Sequence, residues 1–150
     1  MRFTHADKMG DLVQAVYRLA GGRLCAPTPT QYAVRPALEG ERKFQLDFIR
    51  ELKRRRDFAV QRVRNIKGLS CDLPQAAFYL MIKVDNLGPR TDERFVLDLL
   101  EETSVLVVDG SGFGADPRQG YFRIVYLADE ATLEIVFSRL GRFLADYRAR

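Results

Sequence analysis

The sequence has few of the residues that build metal clusters and disulfide frameworks. Its 150 residues include one histidine, His5, and two cysteines, Cys25 and Cys71. One histidine cannot form a His-based metal cluster, and Ser-His-Asp catalysis would depend entirely on that residue near the chain start. Two distant cysteines without metal-ligand spacing indicate neither a metal site nor a disulfide framework.

Long apolar runs are also missing. No segment approaches the roughly 18 apolar residues of a membrane helix, and no signal peptide begins the sequence. We therefore expect a cytoplasmic protein without a membrane partner. The hydrophobic share of 47% and the charged share of 29% are typical of soluble globular proteins. A chain of 150 residues is long enough for one domain with its own core.

Positive charge is concentrated in one predicted helix. Residues 50–67 contain eight basic side chains and two acidic ones, a net charge of +6, whereas the whole chain carries +4. The rest of the chain is therefore about −2, so the pI near 9.3 reflects one helix and not a field over the whole protein. A solvated helix surface is one interpretation, and RNA binding through residues 53–56 is the alternative.

Apolar spacing and breaker residues predict the order of helices and strands. A helical N-terminal segment ends at Gly21 and Gly22, and a short helix is expected near residues 31–34. From residue 41 onward the predicted order is helix, strand, helix, strand, strand, helix, with Thr91 and Asp129 as helix caps. The predicted strands are residues 78–84, 104–108 and 121–127. The sequence thus predicts an α+β fold, with a small sheet of about three strands covered by helices and preceded by a long amphipathic helix.

Arg123 is the candidate binding residue. Period-2 alternation along the last predicted strand places it on one face with Tyr121 and Val125, and places Phe122 and Ile124 on the other. A guanidinium held on a rigid strand among apolar neighbours suits bidentate recognition of a carboxylate or phosphate, because its forked donors match those oxygens. The alternative is an arginine that pairs with a nearby acid or extends to water.

The glycines at positions 110, 112 and 114 follow a predicted strand but do not open a helix. A phosphate-binding loop would need a helix N-terminus there, so we predict a flexible turn between strands. The paired acids Asp92 with Glu93 and Glu101 with Glu102 fall at the two ends of one predicted helix. We expect them to be solvated, and they are poor candidates for acid/base chemistry.

Five segments in order along the chain carry a family resemblance. They are Leu24-Cys-Ala-Pro-Thr-Pro-Thr-Gln-Tyr-Ala33 with Ala37-Leu-Glu-Gly40, Arg54-Arg-Arg-Asp57, Cys71-Asp-Leu-Pro-Gln-Ala-Ala-Phe-Tyr79, Val105-Leu-Val-Val-Asp-Gly-Ser-Gly-Phe-Gly114 and Gly120-Tyr-Phe-Arg-Ile-Val125. Together they resemble the C-terminal part of class I and II aminotransferases, pyridoxal-phosphate enzymes of the aspartate aminotransferase fold. Two positions depart from that pattern: Ala76 stands where glycine is usual, and Asp109 stands where proline is usual.

The resemblance implies a division of the chain and a role for Arg123. Residues 1–40 would be a helical remnant of the large cofactor-binding domain, and residues 41–150 would be the small domain. Arg123 would bind the α-carboxylate of the amino-acid substrate. The full-length protein would use pyridoxal phosphate to move an amino group between an amino acid and a 2-oxo acid, and would form a homodimer.

The resemblance also implies parts that this sequence does not contain. The family's Schiff-base lysine lies in a Ser-x-x-Lys motif upstream of every matched segment. None of the five lysines has that context, and His5 stands where the serine before Lys8 would be. Transamination requires that amine. We therefore expect a C-terminal fragment or a truncated relative that, on its own, neither binds pyridoxal phosphate nor transaminates.

Two other functions stay open on the sequence alone. One is an independent small α+β binding module with RNA as its candidate ligand, although we do not expect a nucleic-acid partner. The other is a regulatory remnant that docks on an intact aminotransferase chain, which predicts exposed apolar surface around residues 12–32. The substrate's side chain is not predictable, because the family residues that select it lie mostly in the missing part or come from a partner subunit.

Overall fold

The structure is a computed structural model that describes residues 8–23 and 25–147. His5 lies outside the described residues. The helices are α1 Gly10–Gly21, α2 Thr28–Glu39, α3 Lys43–Asn65, α4 Asp92–Thr103 and α5 Glu130–Tyr147, and the strands are β1 Leu69–Ser70, β2 Tyr79–Val84, β3 Val108–Asp109 and β4 Tyr121–Val125. Short 3-10 helices at Ser111–Phe113 and Pro117–Gln119 lie between β3 and β4.

The chain divides into two compact units, Met1–Lys43 and Phe44–Arg150. In the first unit, neither α1 nor α2 has a buried residue. Helix α2 is longer than predicted, because it starts at Thr28 and continues through Pro36. A proline also stands in its first turn, where the missing N–H has no helical partner to lose.

The second unit is built on a four-stranded antiparallel sheet in the order β1-β2-β4-β3. The predicted α+β class is confirmed, but the expectation of about three strands missed β1. That strand has two residues, too few to show an alternating pattern. The short edge strand β3 begins at Val108, where the predicted strand 104–108 ends.

Helices α3, α4 and α5 contribute to one apolar core with the inner face of the sheet. In this core the rings of Phe95 and Phe122 lie 5.4 Å apart, which joins α4 to β4. Both predicted caps are confirmed: Thr91 Oγ1 accepts the Arg94 N–H at 3.3 Å, and Asp129 Oδ1 accepts the Thr132 N–H at 2.7 Å. Within the described ranges, no helix has the length and apolar character needed to cross a membrane.

Candidate functional site

One face of the sheet is not part of the helix-covered core. Its side chains, which we call the open face, are Tyr79, Met81, Lys83, Tyr121, Arg123 and Val125. The predicted alternation along β4 is confirmed, because Phe122 and Ile124 are buried whereas Arg123 is half-buried on the open face. Arg123 pairs with Met81 of β2 and Val108 of β3. Strands on both sides therefore hold its backbone.

Two aromatic rings contact the guanidinium of Arg123. Its Cζ atom lies 4.3 Å from the ring centroid of Tyr79 and 3.8 Å from the ring centroid of Phe113. We call these two residues the aromatic clamp. Such cation–π contacts attract the charge to the rings and restrict the orientation of the guanidinium plane. The N–H groups of the guanidinium are then presented in a limited set of directions.

Arg123 has no ion-pair partner among the described residues. Its Nε atom is buried without a hydrogen-bond partner, and no carboxylate of residues 8–23 and 25–147 lies within ion-pair distance of its guanidinium. The sequence alternative of a nearby acidic partner is therefore not observed in this part of the chain. A buried N–H without an acceptor raises the free energy of the folded protein, and a hydrogen bond to a ligand oxygen would lower it again.

The loop between β3 and β4 brings Phe113 to Arg123. Asp109 Oδ2 accepts the Gly112 N–H at 3.0 Å and lies 2.9 Å from the Ser111 hydroxyl. These hydrogen bonds hold the pKa of Asp109 below its usual value, the Ser111 bond having the largest effect. The segment is a turn between strands, as predicted, and Ser111–Phe113 within it forms a 3-10 helix.

Asp92 contradicts the expectation that the paired acids are solvated. It is 1% exposed, and its carboxylate accepts the Ser111 N–H at 2.7 Å. The aromatic clamp was not predicted from the sequence. Tyr79 could have been found from its place at the start of a strand whose alternate residues face outward. Phe113 could have been found from its place between two glycines close to a strand end.

A groove of about 460 Å³ lies beside Arg123, within the usual size range of small-molecule sites. It is lined by Ser70, Cys71, Asp72, Pro74, Tyr79, Met81, Lys83, Tyr121 and Arg123. Partial burial raises the pKa of the Cys71 thiol, which disfavours a reactive thiolate there. The groove thus places the guanidinium of Arg123 beside apolar and aromatic side chains, and its other charged members are Asp72 and Lys83.

A family model for aminotransferase class I and II matches residues 4–140. The chain belongs to this family. The glutamate-pyruvate aminotransferase AlaA from Haemophilus influenzae is 37% identical to this chain over 141 residues, which cover 91% of this chain and 34% of that protein. An alanine aminotransferase from Mycobacterium bovis is 34% identical over 147 residues, covering 95% of this chain and 34% of that protein.

Solved aminotransferase structures share the fold. The alanine aminotransferase from Pyrococcus furiosus superposes with a TM-score of 0.83 at 37% identity, covering 93% of this chain and 35% of that one. The predicted family resemblance is confirmed. The chain spans about a third of the length of the aminotransferases it matches.

The described residues do not fit the cofactor that the aminotransferase family implies for its full-length members. Pyridoxal phosphate needs a lysine for its Schiff base and a polar partner for its pyridine nitrogen. Lys8, Lys43, Lys53 and Lys67 are exposed, and the Nζ of Lys83 lies 5.8 Å from the ring centroid of Tyr121. The only buried acid of the described chain, Asp92, accepts the N–H groups of Ser111 and Glu93 instead. Within the same ranges, no group of three or more acidic, cysteine or histidine side chains could hold a metal ion.

The basic stretch on α3 carries ion pairs within this unit. Arg54 lies 2.9 Å from Glu51 and 3.4 Å from Glu130, and Arg62 Nη2 lies 2.7 Å from Glu134. The Arg54 hydrogen bond is the largest cause of a lowered pKa at Glu51. Further pairs join Arg55 to Glu51 and Arg56 to Asp57. This pairing favours the solvated helix surface over an RNA-binding patch, because paired cations attract phosphates less.

Proposed function

We propose that this chain supplies the substrate-carboxylate site of a pyridoxal-phosphate aminotransferase, which moves an amino group between an amino acid and a 2-oxo acid. The observation that carries the proposal is the guanidinium of Arg123, which is held by two rings and has no acidic partner among the described residues. Membership of the aminotransferase family supports the same assignment.

The chemistry of the site suits an α-carboxylate. A guanidinium presents parallel N–H donors that match two carboxylate oxygens, and it stays charged at every physiological pH. The rings of Tyr79 and Phe113 cover part of the guanidinium, and reduced contact with water would strengthen its attraction to a carboxylate. A carboxylate bound here would be fixed in direction, so the rest of the substrate would project over the groove beside Arg123.

The parts needed for transamination would come from outside the described residues. We assign residues 1–40 to the end of a large cofactor-binding domain and residues 41–150 to the small domain that covers the active site. The Schiff-base lysine and the homodimer contacts belong, on this proposal, to the two thirds of the aminotransferase length that this chain does not span. The chain alone is expected to be inactive.

Titration of the chain with pyruvate tests the role of Arg123. Pyruvate is chosen because it appears in the name of a similar aminotransferase. We expect wild-type affinity on the order of millimolar, and about tenfold weaker binding for Arg123→Gln because a charge-assisted hydrogen-bonded pair is lost. Amide chemical shifts in NMR spectra, followed as pyruvate is added, measure the affinity of both proteins. Arg142→Gln, on the exposed side of α5, is the matched control for the loss of one positive charge.

The proposal fails if Arg123→Gln binds pyruvate as well as the wild type does. It also fails if Arg142→Gln weakens binding to the same extent, since the effect would then be one of net charge.

A regulatory remnant that docks on an intact aminotransferase chain is the second candidate. Exposed apolar side chains in the first unit favour it, among them Tyr17, Leu19 and Tyr32. Co-purification with a full-length aminotransferase distinguishes the two functions. Docking that persists in Arg123→Gln and is lost in Tyr17→Ser with Leu19→Ser would support the remnant.

A further inference from the structure

A buried carboxylate outside the groove is bonded to the loop that carries Phe113. Asp92 is the first residue of α4, and its Oδ2 accepts the Ser111 N–H at 2.7 Å. Its Oδ1 accepts the Glu93 N–H at 2.8 Å and lies 3.1 Å from the Ser111 hydroxyl. The carboxylate therefore links the start of α4 to a loop residue 19 positions later.

The loop transmits this restraint to Phe113 within one short turn. Ser111 and Phe113 belong to the same 3-10 helix, and the Phe113 N–H donates to the Gly110 carbonyl at 2.9 Å. Gly110 is itself fixed, because its N–H donates to the Tyr121 carbonyl at 2.8 Å. A Cβ atom at Gly110 would lie 2.5 Å from the Cβ of Tyr121, so only glycine allows this approach. The ring of Phe113 then reaches the guanidinium of Arg123.

We propose that Asp92 is a positioning residue for the substrate carboxylate: it fixes the turn Ser111–Phe113 and thereby keeps Phe113 against Arg123. The proposal rests on the proposed function of Arg123. Burying a carboxylate is unfavourable unless N–H and O–H donors surround it, and Asp92 has such donors from both the helix and the loop. Its place at the N-terminus of α4 stabilises the charge further.

Asp92→Asn is the informative substitution, with Glu93→Gln as the matched control. The amide keeps the size of the carboxylate, but its NH₂ group must face either the Ser111 N–H or the Glu93 N–H, so one bond is lost. Glu93 is an exposed neighbour in the same helical turn. Both experiments use the full chain.

Two measurements test the expected effects of Asp92→Asn. The Nε–H resonance of Arg123 reports the nearby rings, and in Asp92→Asn it should move away from its ring-shifted position while the circular dichroism of the helices is kept. Pyruvate binding should weaken about two- to fivefold, the loss expected when one ring no longer contacts the guanidinium. Glu93→Gln should change neither quantity.

The outcomes separate this proposal from the function on which it rests. If wild-type chain does not bind pyruvate, the proposed function fails, while the Nε–H resonance still decides whether Asp92 positions Phe113. If Asp92→Asn loses the bond to the loop, seen as a shifted Ser111 N–H resonance, and leaves the Arg123 Nε–H resonance unchanged, the positioning role is overturned. Should Asp92→Asn not fold or keep that bond, Asp92→Ser is the second variant, because its shorter side chain leaves the Ser111 N–H without its acceptor. An unshifted Nε–H resonance in that variant would overturn the role equally.

Discussion

The two faces of the sheet are made by alternate residues of the same strands, yet they are stabilised differently. On the inner face, Phe122 and Ile124 pack into an apolar core with three helices. On the open face, the same strand presents Arg123, whose contacts are two rings from separate segments. Packing density determines the first arrangement, and directed contacts to one charge determine the second.

This difference assigns stability and binding to separate residues. Substitutions on the inner face should lower the free energy of unfolding, whereas substitutions around the clamp should change carboxylate affinity more than stability. The carboxylate affinity of the open face can therefore change without loss of the fold, because packing on the inner face holds the backbone of the same strands.

The largest effect is expected from Phe122→Ala. The side chain of Phe122 is fully buried against Phe95, so its removal should cost about 3–5 kcal/mol in the free energy of unfolding. Urea unfolding followed by circular dichroism measures this cost. Val125→Ala, in the same strand but exposed on the open face, should cost less than about 1 kcal/mol. Equal costs for the two substitutions would contradict the assignment of stability to the inner face.

The elements of the inner face could be predicted from the sequence, because long apolar patterns determine them. The stripe of α5 that includes Leu133, Phe137 and Leu140 is buried as its spacing predicts. The strand β1 was missed, since its pairing with β2 comes from tertiary contact and not from a local pattern. The extension of α2 through Pro36 was missed for a similar reason, because a proline normally ends a helix.

The candidate site was predictable only at its centre. Arg123 stood out because one charge interrupts an apolar strand. Its neighbours Tyr79 and Phe113 are 34 positions apart in the sequence, and only the fold brings both rings to the guanidinium. Asp92 carried no signal beyond that of an ordinary acid at a helix start, where exposure is the usual state.

A smaller effect is expected when the clamp loses one ring. Tyr79→Leu keeps an apolar side chain beside Arg123 but removes a cation–π contact, which is worth about 0.5–1 kcal/mol at a partly exposed site. Pyruvate affinity should fall about two- to fivefold, and the free energy of unfolding should change little. Tyr17→Leu, in the first unit, serves as the control for tyrosine loss. If Tyr79→Leu lowered stability as much as Phe122→Ala, the separation of the two faces would be wrong.

The smallest effect concerns the protonation of Asp109 at the base of the loop. Hydrogen bonds from Ser111 and Gly112 lower its pKa in the folded protein, so its stabilising contribution is complete above the unfolded value near 4. That contribution is lost as the pH falls through the lower folded pKa. The Gly112 N–H, which donates to this carboxylate, should therefore show an NMR shift with a midpoint below about pH 4. Asp109→Asn should abolish this titration, while Asp116→Asn, at an exposed position of the next turn, should leave it in place. A midpoint at or above the ordinary aspartate value would show that the carboxylate does not hold the loop, and that the open face, like the inner one, is organised by packing alone.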